Sequence, residues 1–294
     1  MLNQKHKTVS IHQSKAAAQE YKRKLNPQIF IFTALACEAK PLIQFFGLKK
    51  DLNVHTFSLY KSGQIVLTVT GVGKVAMAAA VAYVLALFSR QPYPVLLNIG
   101  IAGHKTQAIG YLYRAIKIID GDTGKTYYPP LITKTTIDSN VLYTASKPVN
   151  QYKADQIYDM EGSAFYETAI RFSSSELIQS IKIVSDNEHS PIDKINAKQV
   201  YQWIFQQTSL IDRVIKDLLR LSETLIPIEP KAYQKIIEEQ HFTVSQQIKL
   251  KALLTRWKLL NNDTPFTVNK NETKNAKAIL KKLETELNRL AFFL

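Results

Sequence analysis

Apolar residues follow two rhythms along this chain, and the rhythms alternate. Continuous β-rich runs such as residues 28–35 (QIFIFTAL) have the pattern of strands buried on both faces. Between them lie stretches with apolar residues three and four apart, the spacing of one helix face. Residues 37–46 predict a helix that stops at Gly47. Residues 54–60 and 64–70 predict a hairpin turning at Lys61, Ser62 and Gly63. Gly71, Val72, Gly73 and Lys74 then open an alanine-rich helix to about Ser89. Residues 95–98 predict a buried strand that ends in Gly100, Ile101, Ala102 and Gly103. Residues 111–119 and 131–136 are two further strand candidates, with a turn-rich surface excursion over 120–130. A helix over 162–172, a strand over 181–185 and a long amphipathic helix from 196 to about 223 complete the series.

Strands alternating with helices predict an α/β domain, with helices flanking a central mixed, mostly parallel sheet. The pattern breaks at Pro227, Ile228, Glu229 and Pro230, which read as a linker. Three helices are expected beyond it, over 231–240, 244–261 and 272–293. Thr243 to Gln246 and Asn271 to Thr273 are their start signals. The last helix places Ala276, Leu280, Leu283, Leu287 and Leu290 on one face. Such a face must pack against something: the main domain, a second subunit or another protein. The expected organisation is a basic arm over 1–27 with one short helix over 14–24, a domain over 28–222, and a helical appendage over 223–294.

Composition narrows the setting. Apolar residues make up 46% of the 294, enough for a substantial core. Cys37 is the only cysteine, so no internal disulfide forms and a reducing, cytoplasmic location is expected. The first 27 residues lack the apolar segment of a secretory signal. The longest apolar run, over 75–88, is too short to span a bilayer. The net charge of +14 divides evenly: +5 over 1–27, +5 over 28–222 and +4 over 223–294. A nucleic-acid module concentrates its charge, so a solvated basic surface is the plainer reading.

Two stretches imitate phosphate loops and fail. Gly71-Val72-Gly73-Lys74 is followed by Val75 rather than Ser or Thr, and the loop ending in Lys125-Thr126 has Ile119 where the first glycine belongs. Both read better as turns that pack closely. The six histidines are scattered, without a paired spacing that would hold a metal. The informative residues are acids. Glu38 lies just past the first strand, Glu161 at the head of a helix and Asp186 at the exit of a buried run. Each alone is explained by a helix dipole or a loop. Together they stand at three strand ends, where open α/β sheets bind ligands.

The residues around these acids carry a resemblance. Thr33-Ala34-Leu35-Ala36-Cys37-Glu38, Thr70-Gly71-Val72-Gly73-Lys74-Val75-Ala76, Asn98-Ile99-Gly100-Ile101-Ala102-Gly103, Ser146-Lys147-Pro148-Val149, Asp159-Met160-Glu161-Gly162 and Val184-Ser185-Asp186-Asn187 occur in that order. This series resembles the nucleoside phosphorylase/nucleosidase superfamily, in particular its methylthioadenosine/S-adenosylhomocysteine nucleosidases and futalosine hydrolases. The resemblance covers roughly residues 28–222 and implies a nucleosidase-type hydrolase of purine nucleosides. It implies no cofactor and no metal, a small-molecule nucleoside as partner, and a homodimer.

It also implies roles. Asp186, beside Ser185, would protonate the departing base, and Glu38 would activate water. Glu161 would bind the ribose hydroxyls, with Asp159 and Met160 beside the sugar. Gly100, Ile101, Ala102 and Gly103 would line the ribosyl side. Bond cleavage builds positive charge on the sugar and negative charge on the base, so carboxylates near one and an acid near the other lower the barrier. Tyr143 and Tyr158 are candidates for packing on the base. Ile101 stands where the nucleosidases commonly have Ser or Thr. Two alternatives stay open: a phosphate-dependent phosphorylase, and a nucleoside-binding scaffold with weak or no activity that docks a partner through its C-terminal helices. Neither a membrane nor nucleic acid is expected as a partner.

Overall fold

Strand β1 (Ile29–Thr33) shows why the first apolar run has no polar side: all five residues are buried. Phe30 and Phe32 point into one core, Ile29 and Ile31 into a second core on the opposite face. The structure, a computed structural model, describes residues 28–89, 92–149, 151–225, 231–261, 264–267 and 275–291. The arm with its expected short helix, the linker prolines and the start signal at 271–273 lie outside the described residues.

In chain order, β1 is followed by α1 (Ala36–Phe46), β2 (Lys49–Lys50), β3 (Ser58–Ser62), β4 (Ile65–Val69) and α2 (Lys74–Phe88). Next come β5 (Val95–His104), β6 (Leu112–Asp120), β7 (Thr126–Tyr127), β8 (Ser139–Thr144), β9 (Ile157–Asp159) and α3 (Gly162–Ala169). Strand β10 (Ile178–Asp186) and the long helix α4 (Ala197–Leu225) end this part. Helices α2 and α3 supply Met77, Val81, Val84 and Phe165 to the core over Phe30 and Phe32. Helices α1 and α4 cover the other face with Leu42, Val200, Ile204, Ile211 and Leu218.

The sheet is mixed but not mostly parallel. Among the described residues five pairings are parallel and five antiparallel. Antiparallel pairs enter through the β2–β3–β4 meander, the short β7, and the two pairings, β10 with β6 and β5 with β9, that bend the sheet shut. Strand β5 makes the closure possible because it is long. Its first half pairs with β1, its last two residues pair with β9, and β10 runs along it from Leu96 to Gly103. The ring β5–β10–β6–β8–β9 therefore closes on itself, barrel-like, and β1, β4, β3 and β2 extend from it.

Several sequence expectations shift. The hairpin turns at Gly63 and Gln64, and its strands are shorter than expected. The glycines after Asn98 lie within β5 rather than beyond it. No strand forms over 131–136; the strand begins at Ser139 instead. Side chains hold that segment where a ladder was expected. The buried Arg114 donates to Thr133 Oγ1 (2.8 Å) and to the Thr135 carbonyl (3.4 Å), and Thr135 donates its N–H and hydroxyl to Asp217.

The chain divides after residue 226 into two compact units. The second contains α5 (Lys231–Glu239), α6 (Val244–Leu260) and α7 (Ala276–Ala291). Thr243 caps α6 reciprocally: its hydroxyl accepts from the Gln246 N–H, and Gln246 Oε1 accepts from the Thr243 N–H. Ala276, Leu280, Leu283 and Leu287 are buried against Tyr233, Ile236, Phe242, Leu250 and Leu254. The apolar face of the last helix is thus covered inside its own unit. Among the described residues no helix is long and apolar enough to cross a membrane.

Phe165 joins α3 to the sheet, fully buried with its ring 6.0 Å from that of Phe32. Phe165→Ala is expected to cost about 3–5 kcal/mol, measured as a lower urea midpoint.

Candidate active site

The carboxyl ends of β1, β5 and β10 point the same way, because these strands are parallel neighbours. Strand β9 approaches from the opposite direction, antiparallel to β5, so its carboxyl end arrives at the same place. A cavity of about 260 Å³ opens there. Glu38, Ile101, Ala102, Gly103, Asp159, Met160, Glu161, Ser185 and Asp186 all line it. Gly100 does not line the cavity: it lies behind Glu38, where a methyl group would come within 2.8 Å of Glu38 Oε1.

Glu38 sits in the first turn of α1 and is 2% exposed. Its Oε1 accepts from the Ile101 N–H (2.9 Å) and its Oε2 from the Leu35 N–H (2.8 Å). Burial pushes its carboxyl above the ordinary value, and outweighs the opposite pull of these N–H bonds and of Lys182. The backbone N–H of Ile101 thus contributes to the site although its side chain carries no hydroxyl.

Lys182 lies in the middle of β10 and is fully buried. Its ammonium pairs with Asp159 Oδ2 at 2.8 Å. Asp159 also accepts from the Gly162 N–H (2.8 Å) and from Thr144 Oγ1 (2.8 Å). Its carboxylate is therefore occupied by the protein, although the residue borders the cavity. Burial alone would lower Lys182; attraction to Asp159, Glu161 and Glu38 overcomes it and raises the ammonium above its ordinary value. Glu161 is 6% exposed. Burial, then the charge of Asp159, pushes its carboxyl up to about 7, against the pull of Lys182 and the Gly73 N–H.

The glycine turn before α2 reaches the site as well. Gly73 has φ 99°, a backbone region that side chains disfavour. That conformation aims its N–H at Glu161 Oε1, 2.7 Å away. Both elements that meet here are anchored on Asp120. It is only 7% exposed and accepts from Lys74 Nζ at 2.9 Å and Ser163 Oγ at 2.7 Å. Burial acts against ionisation of Asp120, but the bonds from Ser163, Lys74 and Thr123 prevail and hold it well below the usual carboxylate range. The excursion over 120–130 is thus an anchor at its first residue and not merely a surface turn.

Asp186 ends β10 with both carboxylate oxygens engaged. Ser185 Oγ donates to Oδ1 and the hydroxyl of Tyr152 to Oδ2. Of the two aromatic candidates, Tyr158 lines the cavity. Tyr143 packs on Tyr158 and Gly121 instead. Lys182, Gly73 and Tyr152 are the site residues that sequence reasoning missed. For Lys182 a signal was present: a lone lysine inside the run Ile181-Lys182-Ile183-Val184. Among the described residues no group of three or more His, Cys, Asp or Glu is placed to hold a metal ion.

The fold has parallels among solved structures. A 5′-methylthioadenosine/S-adenosylhomocysteine nucleosidase from Helicobacter pylori, bound to butyl-thio-DADMe-Immucillin-A, superposes with a TM-score of 0.53 at 14% identity. The match covers 64% of this chain and 98% of that one. Futalosine hydrolase of Helicobacter pylori matches with a TM-score of 0.54 at 13% identity, over 65% of this chain and 98% of that one. The 5′-methylthioadenosine/S-adenosylhomocysteine nucleosidase of S. pneumoniae, with the transition-state inhibitor MT-ImmA, gives 0.53 at 17% identity, over 65% and 99%. The chain has the nucleoside phosphorylase/nucleosidase fold. At such identities the likeness is one of fold. No protein-family model matches the sequence, and no curated protein matches it.

Two predictions follow from the buried charges. Lys182→Met strips Asp159 of its counter-charge and is expected to cost about 3–5 kcal/mol, read from urea melts at pH 7. Glu161 binds its proton more tightly in the folded protein, at about 7 against an ordinary 4.5. Its contribution to stability is therefore fully present below about 4.5 and lost as pH rises through about 7. The wild type should lose more stability between pH 5 and pH 8 than Glu161→Gln does. Equal losses in matched urea melts would contradict the assignment.

Proposed function

We propose that the protein hydrolyses the N-glycosidic bond of a purine nucleoside or a related metabolite. The observation that carries this reading is the meeting of Glu38, Glu161 and Asp186 on one small cavity. They come from three chain segments: the first turn of α1, the start of α3 and the end of β10.

In this reading Glu161 accepts hydrogen bonds from the ribose hydroxyls. Gly73 holds one of its oxygens, leaving the other for the sugar. Met160 lies against the ribosyl ring, and Ile101, Ala102 and Gly103 form the wall beside it. As the bond from the anomeric carbon to the base nitrogen breaks, its electron pair passes to the base. Asp186 delivers a proton to the base, so that a neutral base departs. Water adds to the anomeric carbon and gives its proton to Glu38. A carboxylate whose proton affinity is raised by burial is a stronger base toward that water than an exposed one. The positive charge that develops on the sugar is met by the carboxylates in a largely water-excluded site, where electrostatic stabilisation is strong.

The test is direct. Purified protein is mixed with a panel of purine nucleosides and 5′-substituted analogues, with and without phosphate, and free base is followed by chromatography. Release without phosphate is the expected result. A strict need for phosphate would replace hydrolysis by phosphorolysis. Binding without release under either condition would point to the scaffold reading, and neither binding nor release would end all three. Asp186→Asn is expected to lower turnover by ~100-fold or more, as loss of a general acid should. An unchanged rate would remove Asp186 from the reaction.

A further inference from the structure

Tyr152 has no part in the reaction as drawn above, yet it touches the group that would protonate the base. The side chain is 8% exposed. Its ring lies 5.2 Å from that of Tyr158 and directly over Gly103, where a methyl group would come within 2.7 Å of Tyr152 Cε1. Its hydroxyl donates to Asp186 Oδ2 while Ser185 holds Oδ1. Both oxygens of the acid are thus occupied by the protein's own donors. A base that approaches Asp186 from the side of Tyr152 meets the phenol and must displace it. Ser185 is the adjacent residue on β10 and its Oγ also lies 3.3 Å from the Ala102 carbonyl, so the sheet holds it in place. Tyr152 belongs to the connection between β8 and β9, outside the strands.

The space around Tyr152 supports the same conclusion. A second cavity, of about 320 Å³, adjoins the first. Val149, Tyr152 and Ile192 line both, and so form the wall between them. The first cavity, at about 260 Å³, falls just under the roughly 300–1,000 Å³ usual for small-molecule sites. Of the three wall residues, only Tyr152 is tied to the acid.

We propose that Tyr152 determines what can occupy the leaving-group side. In the ligand-free protein its phenol holds the seat on Asp186, and its displacement admits the base and joins the two cavities. The inference rests on the proposed reading only in placing the base against Asp186. Its energetic basis is competition: the phenol–carboxylate bond must be broken before a base binds, and an apparent affinity falls by the fraction of molecules in the open state.

Adenine and hypoxanthine are titrated by calorimetry into the full chain as wild type, Tyr152→Phe and Tyr152→Ala, with thermal melts to verify folding. Tyr152→Phe keeps the ring but removes the competing hydroxyl, so at least one base should bind about tenfold tighter or more. Tyr152→Ala should in addition accept N6-benzyladenine, and the wild type should exclude it. Equal or weaker binding of both bases by Tyr152→Phe overturns the proposal; weaker binding would make the phenol a ligand to the base rather than its competitor. The Tyr152→Phe result decides alone if Tyr152→Ala fails to fold. No binding of either base by any folded form also overturns it. Turnover of nucleosides by the wild type separates the two conclusions. Turnover without tighter binding in Tyr152→Phe keeps the hydrolase and rejects the gate. Tighter binding without turnover in any form keeps the gate and rejects the hydrolase.

Discussion

A fully buried ammonium governs the candidate site. Lys182 lies in the sheet, 1% exposed, and the cost of that desolvation is several kcal/mol unless a carboxylate answers it. Asp159 does, at 2.8 Å. That carboxylate is in turn held by Thr144 from β8 and by the first N–H of α3. One ion pair therefore ties together β10, β9, β8 and α3. Met160 and Glu161 follow Asp159 directly, so they have little freedom once it is fixed. Such a pair is weak evidence for extra stability, since well-packed apolar residues often do as well. Its effect here is geometric: it sets where Glu161 stands relative to the end of β10, and it adds the positive charge that lets three nearby acids share one cavity.

The remaining acids are distributed around that charge in a graded way. Glu38 is held by two backbone N–H groups and Glu161 by one. Neither has a side-chain cation bonded to it as Asp159 has. Burial consequently raises both, Glu161 to about 7. Asp120 is the contrast. It is also buried, but a lysine and two hydroxyls hold it ionised. The anchor and the candidate chemistry are built from the same side-chain type, and the donors around each one separate their behaviour.

Much of this was legible in the residues, and the parts that were not share a cause. The run over 28–35 announces a two-sided strand because burial on both faces removes every polar position. Glu38 and Asp186 were visible because each follows an apolar run, and Glu161 because it stands where a helix should begin. The closing of the sheet was not, since an apolar run says nothing about the direction of its neighbours. Ring closure depends on β5 changing partners along its length, a property of the assembled sheet. Lys182 and Arg114 were passed over for a related reason. In an apolar run a single cation looks like an outward-facing position, and only the partners across the sheet, Asp159 for one and Gln179 and Thr133 for the other, show that it faces in. Residues 131–136 were misread as a strand because their apolar and β-branched content suits one, while side-chain bonds to Arg114 and Asp217 hold them otherwise.

The two halves of the cavity are built on different principles, which bears on how this fold can persist at 13–17% identity. The side with Glu38 and Glu161 is fixed by backbone N–H groups, from Leu35, Gly73 and Ile101. Backbone donors survive most substitutions, so long as the strands and the glycine turn keep their course. The side chain of Ile101 carries no hydroxyl, and its N–H bond to Glu38 does not need one. The side with Asp186 is held by side chains, Ser185 and Tyr152, and one of them comes from a connection rather than from a strand. A single substitution there changes both the shape of the seat and the partner of the acid. Under the proposed hydrolysis, the backbone-held half would carry the reaction type and the connection between β8 and β9 the choice of leaving group, since a connection can change without disturbing the sheet.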